Sequence, residues 1–522
     1  MNVLRRQTPA IPMAHPLVRE RRMQDALRLA LTAAVPAVTA TVVTIALPNT
    51  NILIVLAIIA GLLAIVVLMA SSRLDRTVLF LVIYFGMVNG PVKLLLGGRE
   101  LTASFQDVII LAVSAGALMR ILMRREPVRL PALSGWVIAW VVLVLVNAFN
   151  PRTEGILHAL GGFRQQLEYV PFFFFGYVLM RSKHRFRQLF LIIGVMAFAN
   201  GVVAAYQTEL SPGQLANWGP GYQALIHPTN VGSGRIYHSE GEARVRPPAL
   251  GSDAGFSGAI GHIALPMCLA LVVIMRRRRW IAVMLCLGAI VGVLVGLGRL
   301  PLIGAGLGVV TFIVYAGLSG RSLTRSLGAL IAVTILVIPA SVLVVSALRP
   351  GTFKRFEQLN TGTETTLHKE SAWSKIPQYA AVSPFGFGLG NSGPVSSVGG
   401  KDNDLINGHG LTSETEYNVL IKELGVPGLI LWPAIIIYVS IITAMGLRRI
   451  PDSDLAICLA GTMAPFTPLL IEGTSGFLSA SAADGPYFWF AVGVAAYWFV
   501  RPKQVDQQSK IQRPQNAPLA LA

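Results

Sequence analysis

Charge is what this chain has least of. Only 13% of its 522 residues are Asp, Glu, Lys or Arg, about half of the roughly 25% found in an ordinary soluble domain. Hydrophobic residues make up 53%, and the mean hydropathy is +0.61. That balance excludes a soluble globular enzyme and a disordered chain. Acids are scarcer than bases, 25 against 43. Cysteine is nearly absent: Cys268, Cys286 and Cys458 all sit in apolar runs. None has CxxC spacing, so neither a disulfide framework nor a cysteine metal site is supported, and all three read as small apolar packing residues. No cleavable signal peptide is expected from the residues at the start. Residues 1–28 are polar and basic, with Pro12 and Pro16, and the first apolar run reads as a retained span.

What is present is a series of apolar runs. About 20 such residues cross a hydrocarbon core of about 30 Å. Candidate spans lie at 29–47, 51–70, 77–95, 104–122, 132–149, 168–181, 187–206, 255–275, 280–298, 301–319, 326–347, 418–446, 454–471 and 485–500. The expected fold is an all-α, polytopic transmembrane bundle of 12–14 spans over residues 29–500. A cytoplasmic N-terminal tail (1–28) precedes it. A tail at 501–522, rich in Gln and Pro, reads as disordered.

If the spans alternate, the cations sort themselves. Of the 43 Lys and Arg residues, 28 fall on the side of the two tails, 71–76, 120–129, 181–187, 276–279, 320–325 and 448–454, together with only 7 of the 25 acids. This is the positive-inside bias, and it puts both termini in the cytoplasm. The basicity needs no nucleic-acid partner: Arg276–Arg279 reads as a topology anchor beside anionic lipid. Two long loops, 207–254 and 348–417, then face the exterior. Long loops tend to be functional or disordered.

The first loop ends in Arg244-Val245-Arg246-Pro247-Pro248 and a Gly/Ser/Asp turn that opens the next span. Amides at a helix N-terminus favour an anion, and the planar guanidinium suits phosphate. The blander reading is an ordinary loop with Ser252 or Asp253 as N-cap. Arg299, in Gly298-Arg299-Leu300-Pro301, is an external-side cation against the charge trend. It either snorkels or binds an anion. Arg164 also precedes a span, with Glu168 as a possible i+4 partner.

The second loop holds Pro384-Phe385-Gly386-Phe387-Gly388-Leu389-Gly390, then His409, then Glu414-Thr415-Glu416-Tyr417 and Glu423-Leu424-Gly425-Val426-Pro427-Gly428. The glycines lack a following Lys-Ser/Thr and a β-α unit, which argues against a nucleotide P-loop. Glu414 and Glu416 either cap the helix they precede or supply a general base. Asp402 and Asp404 form a lone D-x-D that reads as a solvated loop. No clustered Asp or His has metal-ligand spacing.

In order and placement these segments resemble the bacterial O-antigen ligase and O-antigen polymerase superfamily of membrane glycosyltransferases, over about residues 150–450. Pro384–Gly388 is similar to that family's Pro-x-x-Gly-x-Gly segment. Tyr417 and Glu423–Gly428 are similar to its His-Asn-x-Tyr and Glu-x-Gly-x-x-Gly segments, and Gly298-Arg299 to its mid-chain Ser-Arg. Glu414 stands where the family has its functional His, and Thr415 where it has Asn. That departure favours a polymerase over a ligase.

The resemblance implies a glycan donor on undecaprenyl pyrophosphate at the outer face of the inner membrane, and a glycan acceptor. It implies no cofactor and no metal. Flippase and chain-length regulator proteins are the implied partners. Arg164, Arg244, Arg246, Arg299 and Tyr417 are the expected substrate-binding residues, with Glu414, Glu416 or His409 as the base. The competing classes are a secondary transporter or flippase, which would show ionisable residues in mid-membrane, and a non-catalytic scaffold.

Overall fold

The computed structural model describes residues 74–96, 106–117, 130–153, 155–226, 236–239, 242–319, 338–346, 373–393, 415–479 and 481–500. The chain divides into two compact units, 1–77 with 111–126 and 78–110 with 127–522. The first is described at 74–77 and 111–117, which are helical. The second carries every site discussed below.

The order of elements begins with α1 (Thr77–Leu95), which contains a π-helical turn over Tyr84–Val88, and α2 (Gln106–Ala117). Next come α3 (Ser134–Ala148), α4 (Gly155–Leu167), α5 (Phe172–Leu179) and α6 (Lys183–Thr208). Two short helices, α7 (Pro212–Ala216) and α8 (Pro220–Ile226), lead to strands β1 (Ile236–Ser239) and β2 (Glu242–Val245). Then follow α9 (Phe256–Ile274), α10 (Arg279–Val295), α11 (Arg299–Leu318) and α12 (Ile376–Val382). The last four are α13 (Glu416–Leu447), α14 (Ser453–Met463), α15 (Leu469–Glu472) and α16 (Asp484–Trp498).

Among the described residues the regular structure is helical except for one hairpin, in which β1 pairs antiparallel with β2. Five helices, α1, α6, α9, α11 and α13, are long and apolar enough to cross a membrane. They fall on the expected spans 77–95, 187–206, 255–275, 301–319 and 418–446. Two other spans are shorter than expected. Residues 168–181 turn through 168–171, and only Phe172–Leu179 is helical, with Pro171 at its N-cap. Within 454–471 the helix stops at Met463, because Pro465 and Pro468 have no N–H to continue it. Spans 29–47 and 51–70 and both tails lie outside the described residues, as does most of 348–417.

α9 is the centre of the bundle. Nearly every residue in it is buried, and it packs on α6, α10, α11 and α14. Glycine lets the backbones touch: a Cβ on Gly201 of α6 would lie 2.5 Å from the Gly288 carbonyl oxygen of α10. Close approach through small residues is how helices associate in lipid. The apolar run thus makes each helix, and the glycines in it set which helices pair.

Helix direction separates two ends. One gathers the C-termini of α6 and α10 and the N-termini of α9, α11 and α13, and is here termed the loop end. The other carries the Arg276–Arg279 turn and an ion-paired cluster. In that cluster Lys183 reaches Asp452 at 3.1 Å and Asp454 at 3.3 Å, and Arg187 reaches Asp454 at 3.3 Å.

Candidate functional site

At the loop end several pieces of chain converge on Arg246. β2 stops at Val245, and Pro247 and Pro248 remove two backbone donors, so the strand cannot continue. The next turn is held from α6. Gln207 accepts from the Ala249 amide at 2.7 Å and donates to the Ala249 carbonyl at 3.2 Å. Asn200 accepts from the Leu250 amide at 3.1 Å. The Gly255 amide donates to the Pro247 carbonyl at 3.1 Å. Gly255, at φ 85°, forms the N-cap of α9; neither Ser252 nor Asp253 caps that helix.

This path lays the Arg246 guanidinium beside two glycines. A Cβ on Gly255 would lie 3.3 Å from its Nη2, and a Cβ on Gly298 would lie 3.7 Å away. Gly298 is the N-cap of α11, whose first residue is Arg299. Arg246 and the Arg299 turn therefore meet where α9 and α11 begin, and both arginines are half-buried. Two helix N-termini and the Arg246 guanidinium in one place favour an anion. Arg244 lies in β2, its backbone paired with Tyr237.

Arg164 belongs to a polar cluster on α1, α2 and α4. Its Nε lies 2.9 Å from Asp107 and 3.8 Å from Glu168. The i+4 pairing is therefore present, but Asp107 is the closer partner. Gln106 links the cluster, accepting from Asn89 at 2.7 Å and from Lys93 at 3.0 Å and donating to Tyr169 at 2.7 Å.

The glycine segment docks on the broken start of α13. Gly425 has φ 70° and ψ −162°, which interrupts the helix, and Pro427 disfavours helical backbone at the residue before it. The Val426 amide donates to the Pro384 carbonyl at 2.8 Å, and the Phe387 amide to the Lys422 carbonyl at 2.6 Å. Gly386, Gly388, Gly390 and Gly393 all have positive φ, which side-chain-bearing residues adopt at a cost. The segment closes over Glu423, which is fully buried. The Gly390 amide donates to its Oε1 at 3.0 Å, Gln166 to its Oε2 at 2.9 Å and Gln165 to its Oε1 at 3.4 Å. The glycine segment thus serves as a cradle for a carboxyl group.

Glu416 is buried as well. Its Oε2 accepts from the Leu478 amide at 2.9 Å and the Ser479 amide at 3.1 Å, while its own amide donates to the Gly476 carbonyl at 2.9 Å. Thr415 caps α13, accepting from the Asn418 amide at 3.2 Å. Glu416 holds the segment before α16 rather than capping its own helix. Tyr417 donates to the Leu470 carbonyl at 2.7 Å and sets its ring edge against Trp432. Glu414, His409, Asp402 and Asp404 lie outside the described residues.

Sequence spacing does not find a further cluster. His262 of α9, Glu472 of α15 and Asp484 of α16 meet deep in the bundle, each less than a tenth exposed. His262 Nε2 lies 3.5 Å from Glu472 Oε2 and 3.4 Å from Asp484 Oδ1. The available signal was three ionisable residues inside or flanking apolar runs. Beside Asp484 a cavity of about 10 Å³, also lined by Gln166, Tyr169, Trp432 and Ser479, has room for about one water.

Fold and site define a helical protein with five helices able to cross a membrane and a cationic turn at the loop end. Compared with known proteins, the chain matches no family model, no curated protein and no solved structure.

Proposed function

We propose that this chain is a multi-pass glycosyltransferase of the bacterial inner membrane, both termini cytoplasmic. It polymerises undecaprenyl-pyrophosphate-linked oligosaccharide repeats at the outer face, for exopolysaccharide or O-antigen. The observation that carries the reading is the meeting of Arg246 with the turn that bears Arg299, at two helix N-termini. In this reaction the base takes the proton of an acceptor hydroxyl. The oxygen attacks the anomeric carbon of the donor, and the bond to the lipid pyrophosphate breaks with its electron pair. Charge develops on the departing pyrophosphate, and donors placed there contribute most. Arginine meets phosphate with two parallel hydrogen bonds. Arg246 and Arg299 take that role, with Arg244 and Arg164 as weaker candidates.

Glu414 is the proposed base, with His409 in reserve. Glu416 already accepts two backbone amides, so its part is to seat the segment before α16. Tyr417 fixes the Leu470 turn next to it. Flippase and chain-length regulator proteins would supply and meter the substrate. Transfer to lipid A-core, as a ligase, is the variant reading.

The test is the glycan ladder of a deletion strain. Loss of polymerisation leaves a single repeat, whereas loss of ligation leaves long lipid-linked chains not transferred to core. An unchanged ladder sinks both. A second reading, an ion-coupled transporter or flippase, is favoured by the buried His262, Glu472 and Asp484. It predicts instead that lipid-linked repeats accumulate on the cytoplasmic face.

A further inference from the structure

The cluster of His262, Glu472 and Asp484 plays no part in the chemistry above, and its geometry is that of a ligand set. We propose that these residues bind one divalent transition-metal ion of the Zn²⁺ class, which pins the segment between α14 and α16 against α9.

The spacing is the first observation. Tetrahedral zinc with N and O ligands at about 2.0–2.1 Å places those ligand atoms about 3.3–3.4 Å apart. His262 Nε2 stands 3.4 Å from Asp484 Oδ1 and 3.5 Å from Glu472 Oε2. One ligand atom from each of the three residues lies within 4.8 Å of the others.

The second observation is what these atoms lack. Both nitrogens of His262, Oε1 of Glu472 and Oδ1 of Asp484 are buried with no hydrogen-bond partner among the described residues. His262 is 2% exposed, Glu472 1% and Asp484 6%. Buried polar atoms are normally satisfied, and buried charges are paired or coordinate metals. A dication bound by a neutral imidazole and two carboxylates leaves no net charge.

The surroundings complete the set. Asp484 Oδ2 accepts from Ser481 Oγ at 2.8 Å, an outer-shell bond that fixes the carboxylate and leaves Oδ1 for the ion. A Cβ on Gly304 of α11 would lie 2.1 Å from Glu472 Oε1, so this glycine makes the room Glu472 occupies. Imidazole selects zinc and its neighbours over magnesium and calcium, which prefer oxygen alone. The three ligands come from α9, α15 and α16. Glu472 and Asp484 flank the Gly476–Ser479 stretch that binds Glu416, so the ion would set the geometry of that stretch.

The experiment uses the full-length, tag-free protein in detergent and reads metal, independently of glycan chemistry. Metal content is measured as purified. The protein is then stripped with chelator, and Zn²⁺, Co²⁺ or Mg²⁺ is added back while thermal unfolding and visible absorption are followed. One zinc per chain, a rise in Tm with Zn²⁺ but not Mg²⁺, and the d–d bands of tetrahedral Co²⁺ are the expected results. His262→Gln and Asp484→Asn should weaken Zn²⁺ by more than about 10–100-fold, the loss caused by removing only an outer-shell partner. If those variants fail to fold, the wild-type stoichiometry and Co²⁺ spectrum decide alone. A wild-type protein without metal, indifferent to Zn²⁺ and giving no Co²⁺ bands, overturns the proposal and leaves the cluster as a proton relay. Variants that bind Zn²⁺ as tightly as wild type overturn it equally.

Discussion

The backbone amide of Gly390 donates a hydrogen bond, at 3.0 Å, to the carboxylate of Glu423, which is fully buried at the start of α13. Two glutamines of α4 complete the shell. The contact ties together two segments that the sequence presents as separate motifs.

Its loss is expected to be structural. Glu423→Ala leaves three donors without an acceptor and should cost about 3 kcal/mol or more. Gly390→Ala should cost about 2–3 kcal/mol, because φ is 78° and the new Cβ would lie 2.1 Å from the His158 carbonyl oxygen. Gly306→Ala, with nothing within 4 Å of its Cβ position, is the neutral control. Thermal unfolding of the purified protein orders the three, and a Gly390→Ala variant as stable as the control would refute the cradle.

Topology is the next prediction. A cysteine at position 399 should be labelled by an impermeant reagent from the exterior only, if the charge bias of the sequence sets the orientation as the positive-inside rule expects. Labelling from the cytoplasmic side alone would remove both the topology and the glycosyltransferase reading.

The acids separate by role. Glu414→Gln should reach the membrane at normal level, bind lipid-linked donor and make no polymer. Glu416→Ala removes the acceptor of the Leu478 and Ser479 amides. It should lower stability by about 1–3 kcal/mol and reduce product in proportion to folded protein. Full product from Glu414→Gln would pass the base role to His409, which His409→Ala then tests.

Arg246→Lys keeps the charge but loses the planar fork. Polymer yield should fall with Lys and fall further with Ala, in protein that inserts normally. Equal yields from Lys and Arg would mean that only charge matters at this position.

The parts of the fold legible in the sequence are those set by composition over about 20 residues. Apolar runs mark α1, α6, α9, α11 and α13 to within a few residues at each end. Prolines at 171, 465 and 468 were equally visible, but their power to split 168–181 and 454–471 was outweighed by the apolar count. The site was half legible. The charge bias of the sequence singles out Arg246 and Arg299, yet only the Gln207 clamp on Ala249 shows how the first is brought to the N-cap glycine before the second. His262, Glu472 and Asp484 were invisible as a set because metal-ligand spacing is a local signal, and these three meet through helix packing.

The central claim is that Arg246 and Arg299 receive the lipid pyrophosphate as a glycosidic bond forms. Its most direct test is a reconstituted reaction that counts undecaprenyl pyrophosphate released per bond made, for wild type and Arg299→Ala. Wild type should release one per bond, and the variant should run about 100–1000-fold slower, the usual loss when a donor to a developing charge is removed. Release by Arg299→Ala at the wild-type rate, or no release by wild type at all, would contradict it.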